Sequence, residues 1–126
     1  MPHTFLKSLV ASTGLAVLAS SALAAGDADA GRVLYQARCS ACHSLDYNGV
    51  GPAHRSVFGR AAAQVPGFAY SDALKASHQV WNEDSLDRWL ADPEKVAPGQ
   101  RMGFSVPEAK DRSDLIAYLK KAAAAK

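Results

Sequence analysis

Apolar positions along the chain recur at helical rather than alternating intervals. From Asp27 to about Arg38, the apolar residues Ala28, Val33, Leu34 and Tyr35 with small Gly31 among them predict a first helix. Gly31 weakens that helix unless another helix must approach closely there, and this segment alone leaves both readings open. Ser71 predicts the cap of a short helix from about Asp72 to Ser77. Asn82 predicts the cap of a firmer one running to about Ala91, where Asp92-Pro93 stops it. Leu86, Trp89 and Leu90 share the buried face of that helix. A last helix is expected from Asp111 to about Ala124, with Leu115, Tyr118, Leu119 and Ala122 along one side. No stretch alternates convincingly as a strand and no internal repeat is visible, so the chain reads as all-α.

Between the helices the periodicity fails. Asn48 to Gly67 carries Gly49, Gly51, Pro52, Gly59, Pro66 and Gly67, which predicts a long ordered loop, and Ala97 to Gly103 predicts another. A loop of the first one's length in a small domain needs something to wrap. The chain has few large side chains with which to fill its own middle, only 8% of residues being aromatic, so something else is expected to occupy it.

The 126 residues divide unevenly. Lys7, an apolar stretch from Leu9 to Ala19 and the small-residue run Ala22-Leu23-Ala24 predict that residues 1–24 are an export signal, leaving 25–126 as one domain in the periplasm. The apolar stretch is short for a membrane span, and Ser12, Thr13 and Gly14 interrupt it, so no integral membrane segment is expected. Loss of Lys7 with the signal takes the formal charge from +2 to +1. That balance argues against nucleic acid as a partner, and no basic run is longer than Lys120-Lys121.

Cys39-Ser40-Ala41-Cys42-His43 has the C-x-x-C-H form associated with attachment of a c-type haem. Two thiols separated by two residues at the end of a helix can both reach the vinyl groups on one edge of a porphyrin, and the adjacent His43 can then offer a ring nitrogen to the iron. A thioredoxin-like motif requires a βαβ setting that the chain lacks. A structural zinc site needs a fourth ligand, for which only His54 or His78 remains, without a second paired spacing. A plain disulfide leaves His43 and the long loops unexplained. The iron's sixth position decides between carrier and enzyme. Met102, the only methionine beyond the signal, sits in a Pro/Gly-shaped loop from which an unbranched side chain can be aimed inward. His54 and His78 are rivals, expected to face solvent because their neighbours are Arg, Ser, Lys and Gln.

Taken together, these residues resemble the class I c-type cytochromes, the family of mitochondrial cytochrome c and its soluble bacterial relatives, over the whole domain. The likeness includes Gly31 and Tyr35, Gly51-Pro52, Phe58-Gly59-Arg60, Pro66-Gly67-Phe68 and Tyr70-Ser71-Asp72-Ala73. It continues through Trp81, Leu86, Leu90, Pro93, Pro98-Gly99, Met102 and Phe104 to the run from Asp114 to Lys121. The resemblance implies a small cytochrome c fold, helices and long loops wrapped around one covalent haem. It makes Cys39 and Cys42 the thioether residues, His43 and Met102 the axial ligands, and Pro52 the residue whose carbonyl orients the proximal imidazole. Arg60, Tyr70 and Trp81 match positions that surround a haem propionate, and Gly31 and Tyr35 are expected to meet Leu115, Tyr118 and Leu119 where the first and last helices cross.

Departures accompany the likeness. Leu74 replaces an asparagine of the mitochondrial members, Gln100 a threonine shortly before the Met ligand, and Trp89 a tyrosine whose hydroxyl reaches that ligand. Gly103 follows Met102 where an aliphatic residue is usual, which predicts a more mobile Met loop. Most of the mitochondrial lysine rim is missing. Arg38, Lys95 and Arg101 keep positive charge near the expected haem edge, offset by Glu94 and Glu108. The expected function is single-electron shuttling by a monomer that docks transiently with redox proteins at its haem edge, with no enzymatic chemistry. The alternative is a haem enzyme or gas-binding protein with a labile Met102 and an open iron site.

Overall fold

The computed structural model describes residues 25–125, so the predicted signal at 1–24 lies outside the described residues. Five helices follow one another, α1 (Ala28–Arg38), α2 (Asp72–Ala76), α3 (Glu83–Ala91), α4 (Pro93–Val96) and α5 (Ala109–Ala124). Among the described residues the extended backbone pairs only in an isolated antiparallel bridge, Ala61 with Val80. The fold is the small all-α one that the pattern predicts.

Helix starts follow the local chemistry. Asp27 caps α1 by accepting from the N–H groups of Asp29 and Ala30, and Ser71 caps α2 by accepting from Leu74. At α3 the Asn82 side chain accepts from Ser85 N–H while the Ser85 hydroxyl accepts from Asn82 N–H, a reciprocal box in which Ser85 escaped the sequence reading. Asp92-Pro93 ends α3 as predicted and also opens α4, an unexpected single turn. Proline lacks only an N–H that the first turn leaves unpaired anyway, and Asp92 accepts from Lys95 N–H. α5 begins two residues earlier than expected, at Ala109, with no side-chain cap at Glu108.

The first and last helices cross at Gly31. A Cβ placed there would lie 1.9 Å from the Asp114 carbonyl oxygen and 2.9 Å from Tyr118 Cβ, so only glycine permits this approach. The close-approach reading of Gly31 is therefore the right one. Tyr35 packs its ring 5.3 Å from that of Tyr118, and Leu115 and Leu119 are buried on the same side of α5. A second contact of this kind was missed, since a Cβ on Gly26 would lie 2.0 Å from the Ser113 carbonyl oxygen. Asp114 fastens the crossing. Its buried carboxylate accepts from Asp27 N–H at 2.8 Å and from Lys110 Nζ at 2.6 Å. α3 lies against α5 and carries Leu86 and Trp89 inward. The return strand of chain before α5 is anchored by Val106, fully buried, whose N–H donates to Leu90. Arg112 donates to the carbonyls of Val106 and Pro107 and pairs with Asp87 at 2.7 Å.

Gly31→Ala should destabilise the protein by about 3 kcal/mol, because backbone and not a flexible side chain must move, and this is read as a lower denaturant midpoint. Asp114 is held below the usual carboxylate range by Lys110 and by Asp27 N–H. Its stabilising contribution is thus complete above the unfolded carboxylate value of about 4 and declines as pH falls through the lower folded one. Asp114→Asn should flatten the acid limb of stability against pH below about 4, measured by denaturant titration across that range.

Candidate haem-binding site

The thiol pair lies just beyond the last residue of α1. Cys39 caps that helix, with its N–H donating to Tyr35, and the chain tightens as Cys42 and His43 N–H both donate to the Cys39 carbonyl. The two cysteines are not joined to each other as a disulfide. Burial pushes the Cys39 thiol up to about 11.

His43 is held in one orientation. Its Nδ1 lies 2.8 Å from the Pro52 carbonyl oxygen, which can only accept, so Nδ1 carries the proton and the Nε2 lone pair is left for a metal. Burial lowers the His43 pKa, and the Pro52 bond opposes part of that shift. Gly51 makes room for the ring: a Cβ there would lie 2.2 Å from His43 Cε1. The same segment is tied back to the motif by Gly51 N–H donating to the Cys42 carbonyl at 2.8 Å.

His43 and the Met102 loop both border a cavity of about 580 Å³. That volume is in the range of cofactor sites. Cys39, Cys42, His43, Pro52 and Met102 all line it. So do Arg60, Tyr70 and Trp81, so every haem-binding residue that the resemblance implies lines one space. The signal for the last three was the resemblance alone. What places Arg60 and Trp81 is a short backbone ladder that the sequence did not show: Trp81 N–H donates to Arg60, Gly59 N–H to Trp81, and Ala62 N–H to Gln79. Tyr70 OH accepts from Val65 N–H at 3.1 Å and so has its own proton to give. Trp89 packs 5.5 Å from Trp81, and Leu74, Leu86 and Leu90 make the wall apolar.

His54 corrects an expectation. Its polar neighbours predicted a solvent-facing ring, but it lies inside, stacked on His43 with centroids 3.8 Å apart and with Nδ1 3.1 Å from Tyr35 OH. Burial, then the charges of His43 and Arg60, hold its pKa well below the usual value, which favours the neutral ring. Local polarity misled because the loop turns between His54 and the exposed Arg55. His78 is exposed as expected, in left-handed backbone at φ 52°.

These features test whether the chain fits a haem. Arg60 Nε is buried with no partner, although Nη1 of the same side chain donates to Ser56 at 2.9 Å. A buried guanidinium N–H facing an apolar cavity is suited to a carboxylate such as a haem propionate. The two free thiols, the imidazole with its outward lone pair, the thioether of Met102 and the apolar wall match the remainder of that group. The residues fit.

Comparison with known proteins agrees. Residues 28–123 match the family model described as Cytochrome c. The chain is 44% identical over 98 residues to cytochrome c of Euglena viridis, covering 75% of this chain and 96% of that one. It is 40% identical over 115 residues to cytochrome c2 of Rhodomicrobium vannielii, covering 87% of this chain and 91% of the relative. The solved structure of cytochrome cH from Methylobacterium extorquens superposes with a TM-score of 0.73 at 46% identity, covering 76% of this chain and 99% of that one.

Gly51→Ala should break the His43–Pro52 hydrogen bond by driving the ring away, which is read as loss of the downfield Nδ1 proton resonance of His43.

Proposed function

Because this chain belongs to the cytochrome c family and binds haem c covalently, we propose that it shuttles single electrons, with Cys39 and Cys42 as the thioether residues and His43 and Met102 as the axial ligands. The observation that carries this reading is the convergence of both thiols, the lone pair of His43 and the Met102 side chain on one apolar cavity. When bound, the haem supplies a ferric/ferrous couple, and methionine ligation raises its potential.

The chain's own residues hold and shield that group. Pro52 fixes the tautomer and plane of His43, which strengthens the imidazole as a donor. Arg60, Tyr70 and Trp81 would offer N–H and O–H groups to a haem propionate. Leu86, Trp89 and Leu90 keep water from the interior, which favours the less charged oxidation state. Electron shuttling needs no acid, base or nucleophile, which fits a carrier rather than an enzyme.

Redox partners dock transiently at the mouth of the cavity. Val50 and Phe104 line it and are 79% and 42% exposed, giving an apolar contact that can form and part without a charge rim. Arg38 adds little free charge there because it pairs with Asp111 at 3.0 Å. No helix among the described residues is long and apolar enough to cross a membrane. Residues 1–24 act as an export signal, and the domain works as a monomer in the periplasm, the oxidising compartment in which its thiols meet haem.

Protein matured in a periplasm should weigh one haem more than its polypeptide. Met102→Ala should keep that mass, lower the reduction potential and bind carbon monoxide readily in the ferrous state, whereas the unmutated protein should not. Immediate carbon monoxide binding by the unmutated protein would show an open iron site and sink the carrier reading.

A further inference from the structure

We propose that Glu94 and Gln100 form a clamp that holds Met102 in place as a ligand, an inference that rests on the axial role given to Met102 above. The loop from Ala97 to Gly103 has two residues in left-handed backbone, Gly99 at φ 92° and Gly103 at φ 57°. Glycine after the ligand favours loop opening, since it gains the most backbone freedom when released. The structure shows what opposes this. Gln100 Oε1 accepts from Met102 N–H at 2.6 Å and from Gly103 N–H at 3.3 Å, so one side-chain oxygen grips the backbone on both sides of the ligand's Cα. Gln100 Nε2 donates to Glu94 Oε2 at 3.3 Å, and Glu94 Oε1 accepts from Gly99 N–H at 2.8 Å.

The amide orientation follows from its neighbours: two N–H donors face its oxygen and a carboxylate faces its nitrogen, so a flipped amide would lose all three bonds. Glu94 is itself fixed because it stands on α4, whose first residue Pro93 is buried and whose start is capped by Asp92. Three backbone N–H groups of a five-residue segment thus end on one amide and one carboxylate rooted in a helix. Glu94 and Gln100 are positioning residues: neither is a ligand, and their effect reaches the iron only through Met102.

Ferric holoprotein reports the clamp through the thioether-to-iron charge-transfer absorption and through affinity for added imidazole, which binds only when Met102 leaves. Gln100→Leu should bind imidazole about tenfold more tightly, the change expected when such hydrogen bonds no longer resist opening. Gln100→Glu keeps an acceptor for Met102 and Gly103 but sets two carboxylates side by side, and should loosen the loop similarly. The exchange Glu94→Gln/Gln100→Glu restores a donor facing an acceptor and should return imidazole affinity to within about twofold of the unmutated protein. Restoration by exchange is not expected if position 100 merely fills space. Imidazole affinity unchanged in Gln100→Leu, or an exchange variant no tighter in its loop than Gln100→Glu, overturns the clamp while axial Met102 stands. An unmutated protein lacking the thioether band, with imidazole affinity equal to that of Met102→Ala, overturns the clamp and the ligand assignment together.

Discussion

The contact between α1 and α5 is the constraint on which the other parts depend. With Gly31 bare, the backbone of one helix rests on the Asp114 carbonyl of the other, and the Asp114 carboxylate takes Asp27 N–H at the start of α1. Both ends of the domain are thereby brought together, which closes the long chain between them into a ring of loops. The thiol pair follows α1 directly, so the position of this crossing also sets where the cavity begins. Tyr35, one turn beyond Gly31, links the two regions by touching Tyr118 on α5 and His54 behind His43.

Hydrogen bonds around the cavity are assigned with little choice. Carbonyls that can only accept set the protonated nitrogen of His43, and backbone pairing sets the places of Arg60 and Trp81. Most of these bonds join residues of the loops to the main chain and not to one another. Such loops are rigid because their polar groups are satisfied, although they have no regular secondary structure. The Met102 loop follows the same rule with a side-chain amide as the acceptor, which offsets the freedom introduced by Gly103.

Two polar residues work in places where composition suggested solvent. His54 lies against His43, with its Nδ1 hydrogen-bonded to the Tyr35 hydroxyl. Glu94, counted from the sequence as a charge near the haem edge, is engaged with Gly99 and Gln100. The pairing of Arg38 with Asp111 reduces the free charge around the cavity mouth. Under the proposed function, contact with partners would consequently rely on shape and apolar surface more than on long-range attraction.

The sequence by itself determined the helices with clear caps and periodicity, namely α1, α2, α3 and the body of α5, since Asp27, Ser71 and Asn82 act on N–H groups two or three residues away. It determined the chemical character of the site as well, because C-x-x-C-H and a lone Met in a turning loop are local patterns. The tertiary structure alone decided whether Gly31 was a weakness or a contact, whether His54 faced in or out, and what Gln100 holds. It also decided that Arg60 and Trp81 share one ladder, and that Val106 is fully buried in a segment without periodicity. The division has one physical cause. Caps and turns are settled by bonds between near neighbours in the chain, whereas burial and pairing across tens of residues depend on where the backbone returns, and no single segment contains that information.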